Sequence, residues 1–447
     1  MNDLQHFESQ YPPDAHFPEV EKTISFLKVG ASCQILGLPG VGKSVLLRLL
    51  SYNRRVRELH LGEDQKKYHF VYMDFSEIKG RPLLDVVKFM LISLSYSLNE
   101  RGFIEEYKFS ETTLKDAIKF QDELVLFQAL KKTVDYLAIE KNLHIVFLFD
   151  RFDEYVADVT EQFFANLKIL RNRAKFKFAC VFALSRPLDS ILDPIVISDF
   201  YEMLIGNTIF MRLEQSVEHT FRLLYIESLV QNKNDKAKKE LFTLTGGHGK
   251  LLKTSYEAVL ANPDQFSKDF TQKELQDFLL SHRQIRGVLT ELYNYLTPHE
   301  KSLLQNLGNA NEATDELKYL NLIGLIKNNA IAIPLLEEFM KQQELGTDET
   351  LTFDEERNEI SKGNTEITDQ LTPSEFRLLK YLIINKGKVC EKEELINNVW
   401  KDSKTQEGVT DQALDQIIYR LRKKIEADPN NPQFITTIKG RGIKLSE

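Results

Sequence analysis

The chain has 447 residues, 42% of them hydrophobic and 28% charged, with a formal net charge of −8. That is the composition of soluble globular protein, with enough chain for roughly two to four domains. The apolar runs Ile145–Phe149 and Phe178–Leu184 are too short to span a bilayer. The opening residues lack the basic and apolar regions of a secretion signal, so a cytoplasmic protein with no membrane partner is expected. Cys33, Cys180 and Cys390 match no metal-site spacing, and reduced packing residues are expected.

The charge is unevenly spread. Between Leu371 and Glu447 there are 14 Lys/Arg against 11 Asp/Glu, a locally basic end. The segment Glu344–Gln370 holds nine acidic and two basic residues and reads as a solvated linker.

In chain order, residues 1–20 show no period and are expected to form an irregular arm or strap. From 21 to 215, short β-rich runs (Cys33–Leu36, Phe70–Asp74, His144–Phe149, Phe178–Ser185, Thr208–Arg212) alternate with helical stretches (Leu83–Leu98, Leu124–Ile139, Val159–Ala174). Crossovers of this length imply a parallel sheet with helices on both faces. Residues 216–285 lose the strand signal and read as a helical domain. Leu296-Thr-Pro-His-Glu300 and Leu371-Thr-Pro-Ser-Glu375 each predict a capping box with proline in the first turn. Helices and a β-rich tail follow each, so 286–343 and 369–447 read as two winged-helix units flanking the linker at 344–368.

Gly37-Leu-Pro-Gly40-Val-Gly42-Lys43-Ser44 follows an apolar strand and opens a helix. Glycines there let backbone N–H groups curl around phosphate oxygens at a helix N-terminus. Lys43 is then expected on the β- and γ-phosphates and Ser44 on Mg²⁺. Asp150 closes the run His144–Phe149 and is the expected metal partner, directly or through water. Either Asp153 or Glu154 could orient an attacking water, or cap the next helix. Ser185 or Arg186, leaving the next strand, is placed to sense the γ-phosphate. Arg171 and Arg173 read as solvated surface residues, with an arginine-finger role as the alternative.

These motifs, with Leu244-Thr-Gly-Gly-His248-Gly in the helical domain, make residues 20–342 resemble the STAND class of signal-transduction ATPases and related AAA+ origin-recognition ATPases. The resemblance implies ATP or ADP with Mg²⁺, slow hydrolysis serving as a switch, and a helical-domain turn closing over the nucleotide. His248 and Lys250 stand in that turn, which lacks the family's proline.

Residues 369–446 resemble the OmpR/PhoB-type winged-helix domain through Leu371–Leu379, Glu394–Trp400, Asp415–Ile425 and Asn431–Gly442. Independently, a helical wheel puts Leu414, Ile418, Leu421 and Ile425 on one face. Gln412, Gln416, Tyr419, Arg420 and Lys423 fall on the other, with Arg422 and Lys424 at its flanks. That donor-rich face suits a major groove, Gln pairing with adenine and Arg with guanine. A hairpin carrying Thr437, Lys439 and Arg441 would reach backbone or minor groove.

The expected fold class is therefore multidomain α/β and α+β: a parallel-sheet P-loop NTPase domain, a helical lid domain, an inner winged helix and a C-terminal winged helix-turn-helix. The expected function is a nucleotide-switched, double-stranded-DNA-binding regulator of transcription, nucleoid-associated when bound. Nucleotide-dependent self-association and an unidentified inducer or protein partner go with it. The alternatives are an origin- or transposition-type DNA-remodelling ATPase, a phage-defence sensor, and a DNA-free scaffold.

Overall fold

The computed structural model describes residues 6–204, 206–223, 235–266, 270–307, 314–345, 351–355, 357–363, 365–400, 411–426, 429, 432–438 and 440–446. The chain forms two compact units, Met1–Glu337 and Glu338–Glu447. Among the described residues no helix is long and apolar enough to cross a membrane.

The first unit is built on five parallel strands: β1 (Cys33–Leu36), β2 (Tyr68–Asp74), β3 (His144–Asp150), β4 (Phe178–Leu184) and β5 (Thr208–Phe210), in the order β2-β3-β4-β1-β5. β4 is buried at every position, as expected for an inner strand covered on both faces. Phe75, Phe147, Phe149, Phe152, Phe163 and Phe182 pack edge to face and tilted in the core around β3 and β4. The register Leu36↔Leu184 and Phe149↔Phe182 brings the carboxyl ends of β1, β4 and β3 side by side. Ligands of open α/β sheets sit over such an edge.

The helices Leu83–Glu100, Ile104–Ala117 and Glu123–Asp135 lie between β2 and β3. The middle one has few buried residues, so its apolar stripe is faint in sequence. Beyond β5 come the helices Val217–Leu223, Asp235–Thr245, Gly249–Leu260, Gln272–Ser281 and Arg283–Tyr295. The helices Pro298–Gln305 and Asp315–Leu322 and the hairpin β6 (Ile326–Lys327) with β7 (Ala330–Ile331) follow. Thr297 and Glu300 form the expected capping box.

The second unit corrects one expectation. Residues 351–366 are not a solvated linker: β8 (Leu351–Asp354), β9 (Glu359–Lys362) and β10 (Thr365–Glu366) make an antiparallel sheet. Leu351, Ile360 and Ile367 enter one core with Leu378, Leu379, Leu421 and Ile443. Along β8 the burial alternates with period two, Leu351 buried and Phe353 half-buried between exposed Thr352 and Asp354. The acidic count concealed that alternation, because the charges occupy outward positions.

The winged helix follows: the helix Pro373–Ile384 behind the Thr372/Glu375 capping box, β11 (Val389–Cys390), the helices Lys392–Val399 and Asp411–Ile425, then β12 (Ile435–Ile438) and β13 (Gly442–Leu445). The sheet order is β11-β13-β12. Gly442 has φ +137°, and a Cβ there would lie 2.1 Å from the Cys390 carbonyl oxygen, so only glycine lets the two strands meet. Cys33, Cys180 and Cys390 are free and buried.

Candidate functional site

The loop Gly37–Gly42 turns from β1 into the helix Lys43–Tyr52 with Gly40 and Gly42 at positive φ. Lys43 Nζ donates to the carbonyls of Gly37 (2.7 Å) and Leu38 (3.0 Å), which folds the side chain back over its own loop. Burial lowers its pKa to about 8, against the opposing pull of Asp153, Asp150 and Glu291. Ser44 Oγ donates to Asp150 Oδ1 at 2.9 Å. Asp150 also accepts from Tyr72 Oη (2.6 Å) and the Arg151 backbone N–H (3.0 Å). Tyr72 in turn accepts from Arg48 Nε at 3.1 Å. Burial, then the Asp150 carboxylate, raises the Tyr72 pKa strongly, so Tyr72 stays a donor to Asp150.

Around these residues lies a cavity of about 700 Å³. Its lining includes Gly40, Gly42, Lys43, Ser44, Asp150, Asp153, Glu154 and Ser185, which the sequence motifs had singled out. Asp153 is tied to the neighbouring strand end, accepting from the Ser185 backbone N–H and hydroxyl at about 3.0 Å; burial raises its pKa. Glu154 is half-exposed and 3.4 Å from Lys79. Arg151, at φ +50°, pairs instead with Asp74 at 2.7 Å.

Two expected nucleotide contacts are placed differently. Arg186 is not in the cavity lining. Its guanidinium makes a two-pronged ion pair with Glu300 and donates to the Tyr295 carbonyl (2.9 Å). The rings of Tyr295 and Tyr319 lie 4.2 and 5.0 Å from it. The hydroxyls of both tyrosines donate to the Ser185 carbonyl, at 3.0 and 2.7 Å.

His248 is fully buried; it accepts from Leu251 N–H through Nδ1 (3.1 Å) and meets the Pro39 carbonyl through Nε2 (2.7 Å). Burial lowers its pKa to about 4, so a neutral ring caps the helix Gly249–Leu260 and donates to the Pro39 carbonyl of the loop Gly37–Gly42. The Lys250 N–H donates to Gly40 (3.1 Å), and Lys250 Nζ pairs with Glu291 at 2.6 Å. Arg171 is bonded to the Gly30 carbonyl and Arg173 to Asp135.

Tyr11, His16, Glu214, Lys253 and Glu291 also line the cavity. They belong to no contiguous motif: Tyr11 and His16 precede β1, Glu214 follows β5, and Lys253 and Glu291 lie on the helices Gly249–Leu260 and Arg283–Tyr295, so only tertiary packing brings them there. The residue types give no advance signal.

In the second unit the helix Asp411–Ile425 buries Leu414, Ile417, Ile418, Leu421 and Ile425. Gln412, Gln416, Tyr419, Arg420 and Lys423 are exposed, with Lys423 Nζ 4.7 Å from the Tyr419 ring. Two flanking cations work within the fold. Arg422 donates to the Ile435 carbonyl and Thr437 Oγ1, both at 2.9 Å. Lys424 bonds the Gln370 carbonyl and Glu375 at 2.7 and 2.5 Å. Arg441 is exposed at the β12–β13 turn; Lys439 lies outside the described residues.

Residues 367–445 match the family model described as transcriptional regulatory protein, C terminal. Over 100 residues the chain is 42% identical to the sensory transduction protein RegX3 of Mycobacterium leprae, covering 21% of this chain and 46% of that protein. It is 35% identical over 98 residues to protein PetR of Rhodobacter capsulatus, covering 22% and 40%. The chain thus spans less than half the length of these curated relatives. Among solved structures, a Walker-type ATPase of Pyrococcus abyssi is similar at 16% identity and a TM-score of 0.45, over 72% of this chain and 95% of that one. Cdc6p of Pyrobaculum aerophilum is similar at 15% identity and a TM-score of 0.39, over 76% and 97%. At these scores neither neighbour bears on function. Residues 367–445 thus match a transcriptional-regulator C-terminal domain and have a winged-helix fold, in a chain whose first unit has a five-stranded parallel sheet.

Proposed function

We propose that this chain is a DNA-binding regulator of transcription whose state is set by ATP or ADP bound in the first unit. The observation that carries the reading is the convergence of Lys43, Ser44 and Asp150 on one sheet edge, in a chain that also carries a regulator-type winged helix. The residues suit a magnesium nucleotide: positive-φ glycines leave the loop open, a lysine cation lies over it, and a hydroxyl–carboxylate pair offers hard oxygen ligands.

Gly37, Gly40 and Gly42 shape the loop, Lys43 balances phosphate charge, and Ser44 and Asp150 hold the metal. The bound nucleotide supplies the phosphoryl group whose presence or loss distinguishes two states. Glu154 is the acid best suited to accept a proton from an attacking water, since Asp153 is committed to Ser185. Asp153, Ser185, Tyr295, Tyr319, Arg186 and Glu300 form a continuous bonded path from the cavity to the inner winged-helix pattern. A switch requires that the two nucleotides favour different arrangements of that path. Gln412, Gln416, Tyr419, Arg420 and Lys423 would face double-stranded DNA, with Thr437 and Arg441 beside the groove. Nucleotide-dependent self-association would raise DNA affinity through effective concentration.

Sequencing of DNA bound to purified protein with ATP and with ADP tests this reading. One recurring promoter-proximal motif, occupied differently with the two nucleotides, is the expected outcome. Origin-like or structural sites would favour a DNA-remodelling ATPase, and absence of DNA binding would favour a protein scaffold.

A further inference from the structure

One lysine beside the loop Gly37–Gly42 already has an anion. Lys250 stands in the first turn of the helix Gly249–Leu260, and its N–H donates to the Gly40 carbonyl at 3.1 Å. A Cβ added at Gly40 would lie 2.8 Å from Lys250 Cβ and 3.0 Å from its Cδ. The stem of the side chain therefore runs along the loop. At its end Nζ donates to Glu291 Oε2 at 2.6 Å. Glu291 comes from the helix Arg283–Tyr295, and both residues line the cavity with Gly40, Lys43 and Lys253.

This pair is poorly suited to holding the fold together. Its side chains are 49% and 44% exposed, where solvent screening leaves an ion pair little to contribute. The buried pair Arg186–Glu300 serves that purpose in the same unit. Lining the cavity while exposed, the Lys250–Glu291 pair instead stands where a ligand can reach it.

Building on the nucleotide-binding reading above, we infer that Glu291 is a built-in competitor of the nucleotide, which occupies Lys250 in place of a phosphate and so limits how tightly the cavity binds.

The competition follows from the geometry of the two partners. Carboxylate and phosphate are both oxygen anions that accept from an ammonium group. With its stem on Gly40, Lys250 is within reach of phosphates cradled by Gly40–Ser44, provided that Glu291 lets go. Affinity is then reduced by the fraction of molecules in which Lys250 is already held. The same carboxylate acts on the other lysine of the site: after Asp153 and Asp150, its charge opposes the effect of burial on Lys43. Displacement of Glu291 would also be felt beyond the cavity. Glu291 and Tyr295 are four residues apart on one helix face, and Tyr295 Oη donates to the Ser185 carbonyl at 3.0 Å.

The test is a double-mutant cycle on the full chain, with ATP affinity measured by isothermal titration at fixed pH and ionic strength. Glu291→Gln removes the charge and keeps the size of the side chain. It should raise ATP affinity by about two- to fivefold, the range that an exposed ion pair commands. Lys250→Ala should lower the affinity, and in that background Glu291→Gln should change it by less than about twofold. Unchanged or weaker ATP binding by Glu291→Gln would overturn the competition. An equal gain with and without Lys250 would also overturn it, since Glu291 would then repel phosphate without involving Lys250. Failure of the wild type to bind ATP would overturn the P-loop reading and this inference with it.

Discussion

Arg186 and Glu300 are 114 residues apart in sequence and meet through two contacts of 2.6 Å each. Glu300 also accepts from the Thr297 N–H at 2.9 Å, so the residue that caps a helix also anchors it to the tip of the sheet. Their side chains are 19% and 2% exposed, which leaves solvent little part in screening the pair. Removing one partner of such a pair strands the other. Arg186→Ala should therefore cost about 2–4 kcal/mol in denaturant unfolding, with the Arg186→Ala/Glu300→Ala double variant losing less than the sum of the single variants. Additive losses would show that the pair does not couple the sheet to the helix Pro298–Gln305.

His248 joins the helix Gly249–Leu260 to the loop Gly37–Gly42 through both ring nitrogens. His248→Asn should keep a helix cap and lose the Pro39 contact, whereas His248→Ala should lose both and cost about 1–2 kcal/mol. The pH behaviour has a definite sign. With the folded pKa near 4 and the unfolded one near 6.5, stability should be fully present above pH 6.5. It should be lost as pH falls towards 4. His16, lowered similarly, acts in the same direction. Thermal melts across this range should show a shallower acid slope in His248→Asn than in the wild type.

Lys43 titrates near pH 8 in the absence of ligand. Phosphate binding favours its protonated form, so ATP affinity should fall as pH rises through about 8. Isothermal titration from pH 7 to 10 checks this. An affinity that stayed level across that range would place the phosphates away from Lys43. Lys43→Ala should abolish tight nucleotide binding and with it the ATP/ADP dependence of DNA occupancy, while the separate fragment 338–447 still binds DNA.

Arg420 and Arg422 are two residues apart on one helix and should behave differently. Arg420→Ala should weaken the preferred DNA by about 1–3 kcal/mol and unrelated DNA by less. Arg422→Ala should lower the stability of the second unit, because its guanidinium holds Ile435 and Thr437. Equal weakening on all DNA in Arg420→Ala would make that residue a phosphate contact.

The sheet β8–β10 makes a fragment boundary testable. A fragment of residues 369–447 lacks Leu351, Ile360 and Ile367, which are buried in the core. It should be less stable than 338–447 by roughly 3 kcal/mol or more. Urea unfolding of the two fragments measures the difference, and equal midpoints would show that the sheet is dispensable.

The five strands of the large sheet, the loop Gly37–Gly42 between strand and helix, Asp150 at the end of β3 and the two expected capping boxes were legible because each depends on neighbours in sequence. An apolar run makes a buried strand, glycines spaced around a lysine make an anion cradle, and threonine with glutamate three residues on caps a helix. The three-stranded sheet at 351–366 was not legible, since its few core residues are diluted among charges that its outward positions tolerate.

The opposed faces of Asp411–Ile425 were likewise set by spacing alone, so Gln416 and Arg420 could be assigned outward and Leu421 inward. Residue type could not assign what the cations on that helix do. Arg422 and Lys424 resemble Arg420 and Lys423 in sequence, and only the position of β12 and of the first helix's N-terminus commits them to the fold. The same holds for Arg186, which the strand pattern delivers to the edge of the sheet. Its direction there depends on Glu300, Tyr295 and Tyr319, all more than 100 residues away. Local chemistry determined the glycine–lysine loop at the strand's end and which helix face is exposed; tertiary packing decided which charges remain available, because a charge's role depends on the partner brought within hydrogen-bonding distance.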